Sequence, residues 1–537
     1  MKFVAVFLLC IFSPFLLAEA KILRVQVGSE IETLDPQLAA EAQFGNIART
    51  LFMGLFDYDH KTNIVAKDLV TNFSHNKNYT HWIFHIRKDI WWVSSKNQQI
   101  VKERKLSASD ILFSFQRVLQ KKTSPFADYF FIIKNAQQIY EGTNLAIETL
   151  GIKVIDENTL EITTEKPCPS LLDYLNHHAF RIIPPEIILN FPETWMQPQN
   201  LWSSGPYILK EWKLKSHISV IKNPFYPKAS EIQIDEIWFY FLGGSSPEAL
   251  RAFEAGEIDI DLTGIASTHL ERIKKRGVVH ISKKFRTNFL EMNLKQWPFS
   301  DKRVRLALSL AIPRKDIVKY ITKSGQKEAY SFLPLDFPHY KPVMIPYAEK
   351  TKKEQLAYAK ELLRQAGFSA KNPFPSCVIN YVTSPVLSQI LQVIRKSWKE
   401  HLGVDCTLEN QESKIFLNFL KEKKFQINLS AWAIQGLDPI YFLERMLSHS
   451  ANNYSGFNNT QYDHLVSKMR SLPISSQRRH LVHQADKILM QDLPLLPIYF
   501  STNINLVQPY IQNFYSTPFA QHSFWKVKML PSLSKNK

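Results

Sequence analysis

The chain has 537 residues, of which 45% are hydrophobic and 21% are charged. This composition is ordinary for a globular protein, and the length exceeds what one hydrophobic core usually organises, so we expect two or three domains. The formal charge is +17, but the 66 Lys and Arg residues are spread along the whole chain. No basic helix or aromatic-basic RNA motif is present, so we predict a generally basic surface and no nucleic-acid partner.

The N-terminus has the features of a cleaved signal peptide. Lys2 supplies a short positive region, residues 3–17 are almost purely apolar, and residues 18–20 (Ala-Glu-Ala) form a small-x-small cleavage site. We therefore expect an exported protein whose mature chain begins at Lys21. Cys10 lies inside the apolar run and not at the cleavage point, so no lipobox is recognised. No later window approaches 18 uncharged apolar residues, and we expect a soluble mature protein.

The first half of the mature chain is rich in predicted strands. Hydrophobic periodicity and glycine punctuation predict the elements here. They are a strand at 22–27, a turn at 33–36, a helix at 46–53 ended by Gly54, a strand at 81–87, a helix at 107–119, a strand at 154–164, two strands within 205–222, a strand at 234–241, and a helix at 247–254 closed by Gly256.

After residue 285 the pattern changes to longer helices that alternate with strands, which is typical of an α/β architecture. Helices are predicted at 301–311, 353–366, 385–401 and 478–490, and strands near 376–382, 404–409 and 425–430. The chain contains no repeat and no low-complexity linker. We therefore expect short chain crossings between domains, which is the geometry that a hinge requires.

Three cysteines remain once residues 1–20 are removed: Cys168, Cys377 and Cys406. They form no CxxC motif and no Cys/His cluster, so we predict no metal site. Cys377 and Cys406 flank segments that are predicted to be neighbouring strands. They could pair in an oxidising compartment, and a pair of unlinked buried thiols is an equally open alternative.

No catalytic constellation is visible. The sequence lacks a Gly-x-Ser-x-Gly elbow, a Walker loop, a Gly-x-Gly-x-x-Gly loop and a His-Glu-x-x-His motif. The adjacent pair His177 and His178 cannot face one site from a regular element, so we interpret it as a surface or interface pair. Asp259 and Asp261 share one face of a predicted strand and favour a solvated edge over an acid/base couple. We predict no catalytic residue, no cofactor and no enzymatic activity.

Five blocks of sequence, in the right order, resemble the periplasmic oligopeptide- and dipeptide-binding proteins, also called extracellular solute-binding protein family 5. The resemblance covers nearly the whole mature chain. It implies an α/β periplasmic-binding-protein-like type II fold, in which two lobes close on a cleft, with an extra third domain. The blocks are GSEIETLDP (28–36), FHIRK with SASDILFSFQR (84–88 and 107–117), SGPYIL with NPFY (204–209 and 223–226), ALRAFEAGEIDI (249–260) and FSDKRVRLALS (299–309).

The resemblance also implies a domain division and a role. The role is that of a monomeric periplasmic receptor of an ABC importer, which captures oligopeptides, dipeptides or cell-wall peptides and delivers them to an inner-membrane permease complex. A receptor for a non-peptide solute, such as a metal chelate or a sugar derivative, is the alternative. A secreted enzyme or a chaperone-like protein is the least favoured. The implied units are a signal peptide (1–20), lobe I (21–53, 183–283 and 503–537), an extra domain II (54–182) and lobe II, or domain III (284–502).

Within this family, a bound peptide pairs with the protein main chain as an extra strand, because its buried peptide groups need hydrogen-bond partners. The matching strand here is residues 429–435, which offers Ala431 and Ala433 beside Trp432, a tryptophan that the family places over the ligand. A plain core role for Trp432 is the alternative. The opposing wall is expected at residues 39–44, which include Glu41 and Ala42.

Three departures from the family pattern concern the ends of the ligand. Gln435 stands where peptide-binding members carry an aspartate for the α-ammonium of the ligand, and an amide supplies no counter-charge. Asp438 could substitute, although Asp438-Pro439 also matches a family turn. Leu420 and Leu429 occupy the places of two arginines that meet the ligand's carboxylate. We therefore expect a short or modified peptide, a cell-wall fragment with a blocked amine, or a non-peptide solute.

Overall fold

The computed structural model describes residues 20–530, apart from residues 40–43, 60, 97–98, 121–123, 144, 338 and 435. The predicted signal peptide lies outside the described residues, except for Ala20. None of the helices in the described part of the chain is both long and apolar enough to cross a membrane.

The N-terminal part consists of short strands and short helices. β5 alternates as predicted, since Trp82, Phe84 and Ile86 are buried while the residues between them are exposed. The elements are β1 Ile22–Gln26, α1 Phe44–Leu51, β2 Phe56–Tyr58, β3 Val65–Lys67, β4 Val70–His75, β5 His81–Ile86, β6 Trp91–Lys96, β7 Gln99–Lys105, α2 Ala108–Gln120, α3 Ala127–Phe130, α4 Ala136–Glu141, β8 Ile152–Asp156, β9 Thr159–Thr163, α5 Leu171–Leu175 and α6 Pro185–Asn190.

The middle part contains a hairpin, a capped helix and a long strand. The hydroxyl of Ser246 accepts a hydrogen bond from the Ala249 amide at 3.0 Å and caps the first turn of α7. Gly256, at a φ of 76°, ends that helix in the left-handed conformation. The elements are β10 Tyr207–Lys213, β11 His217–Lys222, β12 Glu236–Tyr240, α7 Pro247–Ala255, β13 Ile260–Asp261, α8 Ser267–Lys274 and β14 Val279–Met292.

The C-terminal part alternates helices and strands, as its periodicity predicts. Each helix and strand predicted after residue 285 is present, with ends that differ by at most three residues. The elements are α9 Lys302–Leu310, α10 Arg314–Asp316, a π-helical turn Ile317–Thr322, β15 Lys327–Glu328, α11 Lys352–Gln365, β16 Cys377–Val382, α12 Pro385–Leu402, β17 Cys406–Gln411, α13 Ser413–Lys421, β18 Ile427–Ala433, α14 Ile440–Leu443, α15 Thr460–Arg470, α16 Ser476–Asp492, β19 Leu495–Val507, β20 Ile511–Gln512 and β21 Lys528–Met529.

One sheet of 11 strands runs through the molecule in the order β10-β11-β12-β1-β13-β19-β14-β18-β16-β17, with β15 paired to β19. The two long strands β14 and β19 connect its halves. Their pairing shifts register between Lys283 and Thr287, opposite Thr502 and Phe500. A register shift bends a strand pair locally, so the sheet changes direction there. The boundaries predicted between lobes I and II, at 283/284 and 502/503, lie at this shift, and the domain division stays a prediction.

Two hydrophobic clusters form the main cores. The first joins residues from 23–56 and 180–260 with those of the segment 69–175, and the second contains residues of 285–499. Tyr58 and Phe519 belong to the second cluster, and their rings stack with centroids 5.0 Å apart. The segment predicted as extra domain II therefore packs on lobe I as one continuous core, while lobe II has a core of its own.

Cys377 and Cys406 form a disulfide. They are neighbours in the register of the parallel strands β16 and β17, with their Cα atoms 4.6 Å apart. That separation lies within the range of disulfide-bonded pairs. Of the two alternatives left open by the sequence, the structure shows the bonded pair.

Asp259 and Asp261 do not lie at a solvated edge, and that interpretation is wrong. β13 lies between β1 and β19 in the interior of the large sheet, so both residues are buried, with 0% and 1% exposure. Asp259 accepts hydrogen bonds from the Arg24 amide at 2.7 Å and from the Tyr510 hydroxyl at 2.6 Å. These contacts are structural and join β1 to the chain that follows β19.

Candidate ligand-binding site

A cavity of about 510 Å³ lies between the segment predicted as extra domain II and lobe II. Such a volume falls within the usual range for small-ligand sites, about 300–1,000 Å³. One wall contains Asp128, Tyr129, Asp173, Tyr174 and His177. The facing wall contains Trp432, Ala433, Ile434, Tyr441, Glu444, Arg445, Leu447, His449, Ser450, Asn452 and Arg470.

A second cavity of about 540 Å³ adjoins the first. Asp128, Tyr174, Glu444 and Arg470 line both, so the two cavities form one cleft between the same two walls. We call this combined space the cleft.

The strand β18 presents an unpaired main-chain edge beside the cleft. It pairs with β14 along its whole length, but with β16 only at Ile427 and Asn428. The Ile434 amide donates to the Phe285 carbonyl at 3.3 Å on the β14 side. Because the main-chain groups of successive residues point to opposite sides, those of Ala431 and Ala433 point away from β14. No strand in the described part of the chain pairs with them, so their N–H and C=O groups can bind an added strand.

Trp432 lies on the wall of the cleft and is half-buried. Its indole Nε1 donates a hydrogen bond to the Tyr441 carbonyl at 3.2 Å, which fixes the ring plane. The guanidinium of Arg445 lies 5.3 Å from the centre of the indole ring. A half-buried, oriented indole on a cavity wall can cover an apolar group of a ligand.

Two ion pairs neutralise charges of the lobe II wall. Arg445 donates to Glu291 at 2.8 Å, and both side chains are almost completely buried. Arg470 donates to Glu444 at 2.6 Å near the surface. Both arginines of the lobe II wall, Arg445 and Arg470, therefore already have anionic partners.

A region of 390 residues carries a family signature. Residues 65–454 match the model described as bacterial extracellular solute-binding proteins, family 5 Middle. The chain belongs to this family. It is 30% identical over 503 residues to the periplasmic oligopeptide-binding protein OppA of Salmonella typhimurium, a match covering 92% of this chain and 90% of that protein.

Two further comparisons extend the likeness of this family 5 protein. It is 29% identical to the periplasmic murein peptide-binding protein MppA of Escherichia coli, over 94% of this chain and 92% of that one. The solved structure of the murein tripeptide-binding protein MppA in its unliganded open form matches with a TM-score of 0.82 and 27% identity, covering 95% of this chain and 98% of that one. The predicted fold, a two-lobe type II periplasmic-binding fold with an extra domain, is confirmed.

Four of the seven predicted site residues of this family 5 protein lie in the described part of the chain: Ala431, Trp432, Ala433 and Asp438. Ala431, Trp432 and Ala433 lie together on β18 beside the cleft, and their role in binding stays a prediction. Gln435, Glu41 and Ala42 lie outside the described residues. The segment before Glu41 is anchored, since Nε2 of His178 lies 3.3 Å from the Ala39 carbonyl oxygen.

Asp438 is engaged in the protein interior. Its carboxylate accepts from Arg478 and from the Ile440 amide, the latter at 3.1 Å, and both partners of the ion pair are buried. Burial raises the pKa of Asp438, and the neighbouring Arg478 opposes that rise. This geometry gives Asp438 the structural role that its family turn implies, and does not offer its carboxylate to the cleft.

The two leucines that were predicted to stand in place of ligand-binding arginines lie in apolar core. Leu420 packs with Phe416, Phe425 and Tyr454 in a small cluster, and Leu429 belongs to the core of lobe II. Each is 4% exposed. Neither leucine is among the residues that line the two cavities, so both contribute to packing.

The sequence did not reveal that histidines and acidic residues form the wall of the cleft opposite lobe II. His177 is buried and lines the cleft, His178 contacts Ala39 and Phe44, and both rings contact Phe126. The pair therefore does not lie on the surface, and the interpretation that the two rings cannot face one site is wrong. Burial lowers the pKa of both imidazoles, to about 4 for His178, so both are neutral at pH 7. Asp173 and Tyr174 reach the cleft from α5. No local motif marks them, because the packing of α5 against α14, through the rings of Tyr174 and Tyr441, brings them there.

Proposed function

We propose that this protein is a periplasmic receptor of an ABC importer, which captures short peptides and delivers them to an inner-membrane permease. The observation that carries the proposal is the open edge of β18 at Ala431 and Ala433, beside the cleft. An extended peptide can add to such an edge, because the main-chain hydrogen bonds are independent of its side chains. OppA and MppA, named as oligopeptide- and murein peptide-binding proteins, support the same role.

Export to the periplasm belongs to the same proposal. It is supported by the signal-peptide features of residues 1–20 and by the word periplasmic in the names of the relatives. The proposed receptor is a monomer that uses no cofactor and catalyses no reaction.

The cleft, with the open strand edge beside it, favours a short peptide over a sugar derivative or a metal chelate. Its walls carry the rings of Tyr129, Tyr174, Trp432 and Tyr441, and two combined cavities of about 510 and 540 Å³ give room for several side chains. The strand edge between these rings would bind the one chemical feature that all peptides share.

A binding panel on the mature chain tests the proposal. The ligands are Ala-Ala-Ala, N-acetyl-Ala-Ala-Ala, a murein tripeptide, maltose and a nickel chelate, each measured by isothermal titration calorimetry and thermal unfolding. We expect at least one peptide to bind, and to stabilise the fold by about 2.7 kcal/mol at a hundredfold excess over its Kd. Binding of maltose or the chelate without binding of any peptide would overturn the proposal.

A further inference from the structure

Asp173 is a carboxylate on the cleft wall without a partner. It lies on α5, is half-buried, and lines the first cavity of the cleft, of about 510 Å³, together with Trp432. In the described part of the chain no side chain forms an ion pair with it and no hydrogen bond to its carboxylate is present. Glu444 on the opposite wall differs, because Arg470 neutralises it.

Asp173 lines the same cavity as Ala433 and Ile434, which stand just before the position of the family's aspartate. The ring of its neighbour Tyr174 packs edge-on against Tyr441, with centroids 5.8 Å apart. Tyr441 in turn holds the indole of Trp432 through its carbonyl and packs so closely on Gly436 that a Cβ there would lie 2.6 Å from its ring. Asp173 therefore lies across the cleft from the turn that follows Gln435.

The cation that interacts electrostatically with Asp173 already has an anionic partner. Arg478 is close enough to Asp173 to interact electrostatically, but its guanidinium pairs with Asp438. Burial, followed by repulsion from Asp438, raises the pKa of Asp173 to about 7, and Arg478 only partly opposes this. The other titratable groups that interact with Asp173 are Tyr441, Cys168 and Tyr58. None of them supplies a positive charge.

We propose that Asp173 receives an ammonium group of the bound peptide, in place of the aspartate that Gln435 replaces. This inference rests on the proposed peptide-binding function and names the group of the ligand that the cleft selects. A cation between Asp173 and the edge of β18 would contact both walls at once. The anchor would then come from the segment predicted as extra domain II and not from the lobe II strand.

The experiment compares the wild type with Asp173→Asn and Asp156→Asn by isothermal titration calorimetry. Asp156 is the matched control, because it belongs to the same segment 54–182 but is exposed and does not line the cleft. The ligands are Ala-Ala-Ala, N-acetyl-Ala-Ala-Ala and N-acetyl-Ala-Lys-Ala. We expect Asp173→Asn to weaken the binding of a ligand that carries an ammonium at least 30-fold and to leave the affinity for N-acetyl-Ala-Ala-Ala within threefold. Asp156→Asn should change the affinity for all three by less than threefold.

The set of ligands whose binding Asp173→Asn weakens identifies the source of the ammonium. A loss confined to Ala-Ala-Ala assigns the α-amine, and a loss confined to the lysine peptide assigns a side chain; either supports the proposal. If Asp173→Asn binds every ligand as the wild type does, the proposal is overturned while the peptide-binding function stands. If no peptide binds the wild type, the proposed function itself fails.

The pH dependence of the wild type is a second readout that needs no variant. A cation binds the ionised carboxylate, so affinity for the ammonium-bearing peptide should rise at least fivefold between pH 5.5 and 7.5. The α-amine of a peptide stays protonated through most of this range. Affinity for N-acetyl-Ala-Ala-Ala should stay level, and a level profile for both peptides would also overturn the proposal.

Discussion

The guanidinium of Arg478 donates a hydrogen bond to the carboxylate of Asp438, and both side chains are almost fully buried. This pair joins the turn after β18 to the first turn of α16. A buried ion that loses its partner is strongly destabilising, whereas replacing both partners with apolar residues is often tolerated.

We therefore expect Asp438→Ala to lower the free energy of unfolding by roughly 3–5 kcal/mol, measured by urea denaturation. The double variant Asp438→Leu with Arg478→Met should lose much less and should keep the wild-type preference among free and N-acetylated peptides. A double variant that is stable but has lost that preference would show that Asp438 binds the ligand.

The outward main-chain groups of β18 can be tested at one residue. Ala433→Pro removes the N–H that points away from β14 and leaves the bonds to β14 in place. We expect peptide affinity to fall about fivefold, in line with the roughly 1 kcal/mol of one hydrogen bond. Ala433→Val keeps the N–H and is the matched control. Equal affinity of the proline variant, the valine variant and the wild type would argue against an added strand at this edge.

Substitution of Trp432 tests whether its indole contacts the ligand or serves only in the core. We expect Trp432→Ala to lower peptide affinity about 30-fold, or roughly 2 kcal/mol, as the loss of a central aromatic contact does. Trp297→Phe is the control, because Trp297 is 65% exposed and does not line the cleft. A variant that loses several kcal/mol of folding stability but binds peptide with wild-type affinity would assign Trp432 to the core.

The disulfide between Cys377 and Cys406 closes a loop with a sequence separation of 29 residues. Loop-closure entropy predicts that the double variant Cys377→Ala with Cys406→Ala loses about 3–4 kcal/mol of folding stability. Urea denaturation with and without reductant measures this, and Cys168→Ala serves as the control. Identical stability of the oxidised and reduced wild type would contradict the prediction.

Asp486 makes stability depend on pH. It is fully buried, and its carboxylate oxygen Oδ2 accepts from the Tyr340 hydroxyl and the Val343 amide, each at 2.7 Å, while Oδ1 has no partner. Burial raises the pKa of Asp486 to about 7. In the unfolded chain the pKa of an aspartate is about 3.9. Between about pH 3.9 and 7, Asp486 therefore carries a proton in the folded state that it has lost in the unfolded state. Its stabilising contribution is complete below about pH 4 and is lost as the pH rises to about 7.

Asp486→Asn removes this dependence. Relative to the wild type, the variant should gain on the order of 2 kcal/mol in the free energy of unfolding between pH 5 and pH 8. Other titrating carboxylates are common to both proteins and cancel in the difference. Asp89→Asn is the control, because its ion pair with Arg87 lowers the pKa of Asp89 and keeps it ionised throughout this range. A parallel course for the Asp486 variant and the wild type would refute the prediction.

The sequence by itself determined the family, the main helices and strands after residue 285, and the strand that carries Ala431, Trp432 and Ala433. The single strand predicted at 154–164 was wrong, because this segment forms the two strands β8 and β9. Local periodicity and capping decide helices and strands, so α9, α11, α12 and α16 could be placed to within a few residues. The pairing of Cys377 with Cys406 was one of two open alternatives, because adjacency of β16 and β17 depends on strand order and not on spacing.

Only the tertiary structure decided which charges face the cleft. From the sequence, Asp438 could be a residue that binds the ligand. In the structure it pairs with Arg478, which lies on a helix 40 residues further along the chain. Asp173 carries no motif and becomes a candidate anchor because α5 packs across from the end of β18. Counter-charges in a folded protein are set by contacts between distant segments, and those contacts follow from the packing of whole elements.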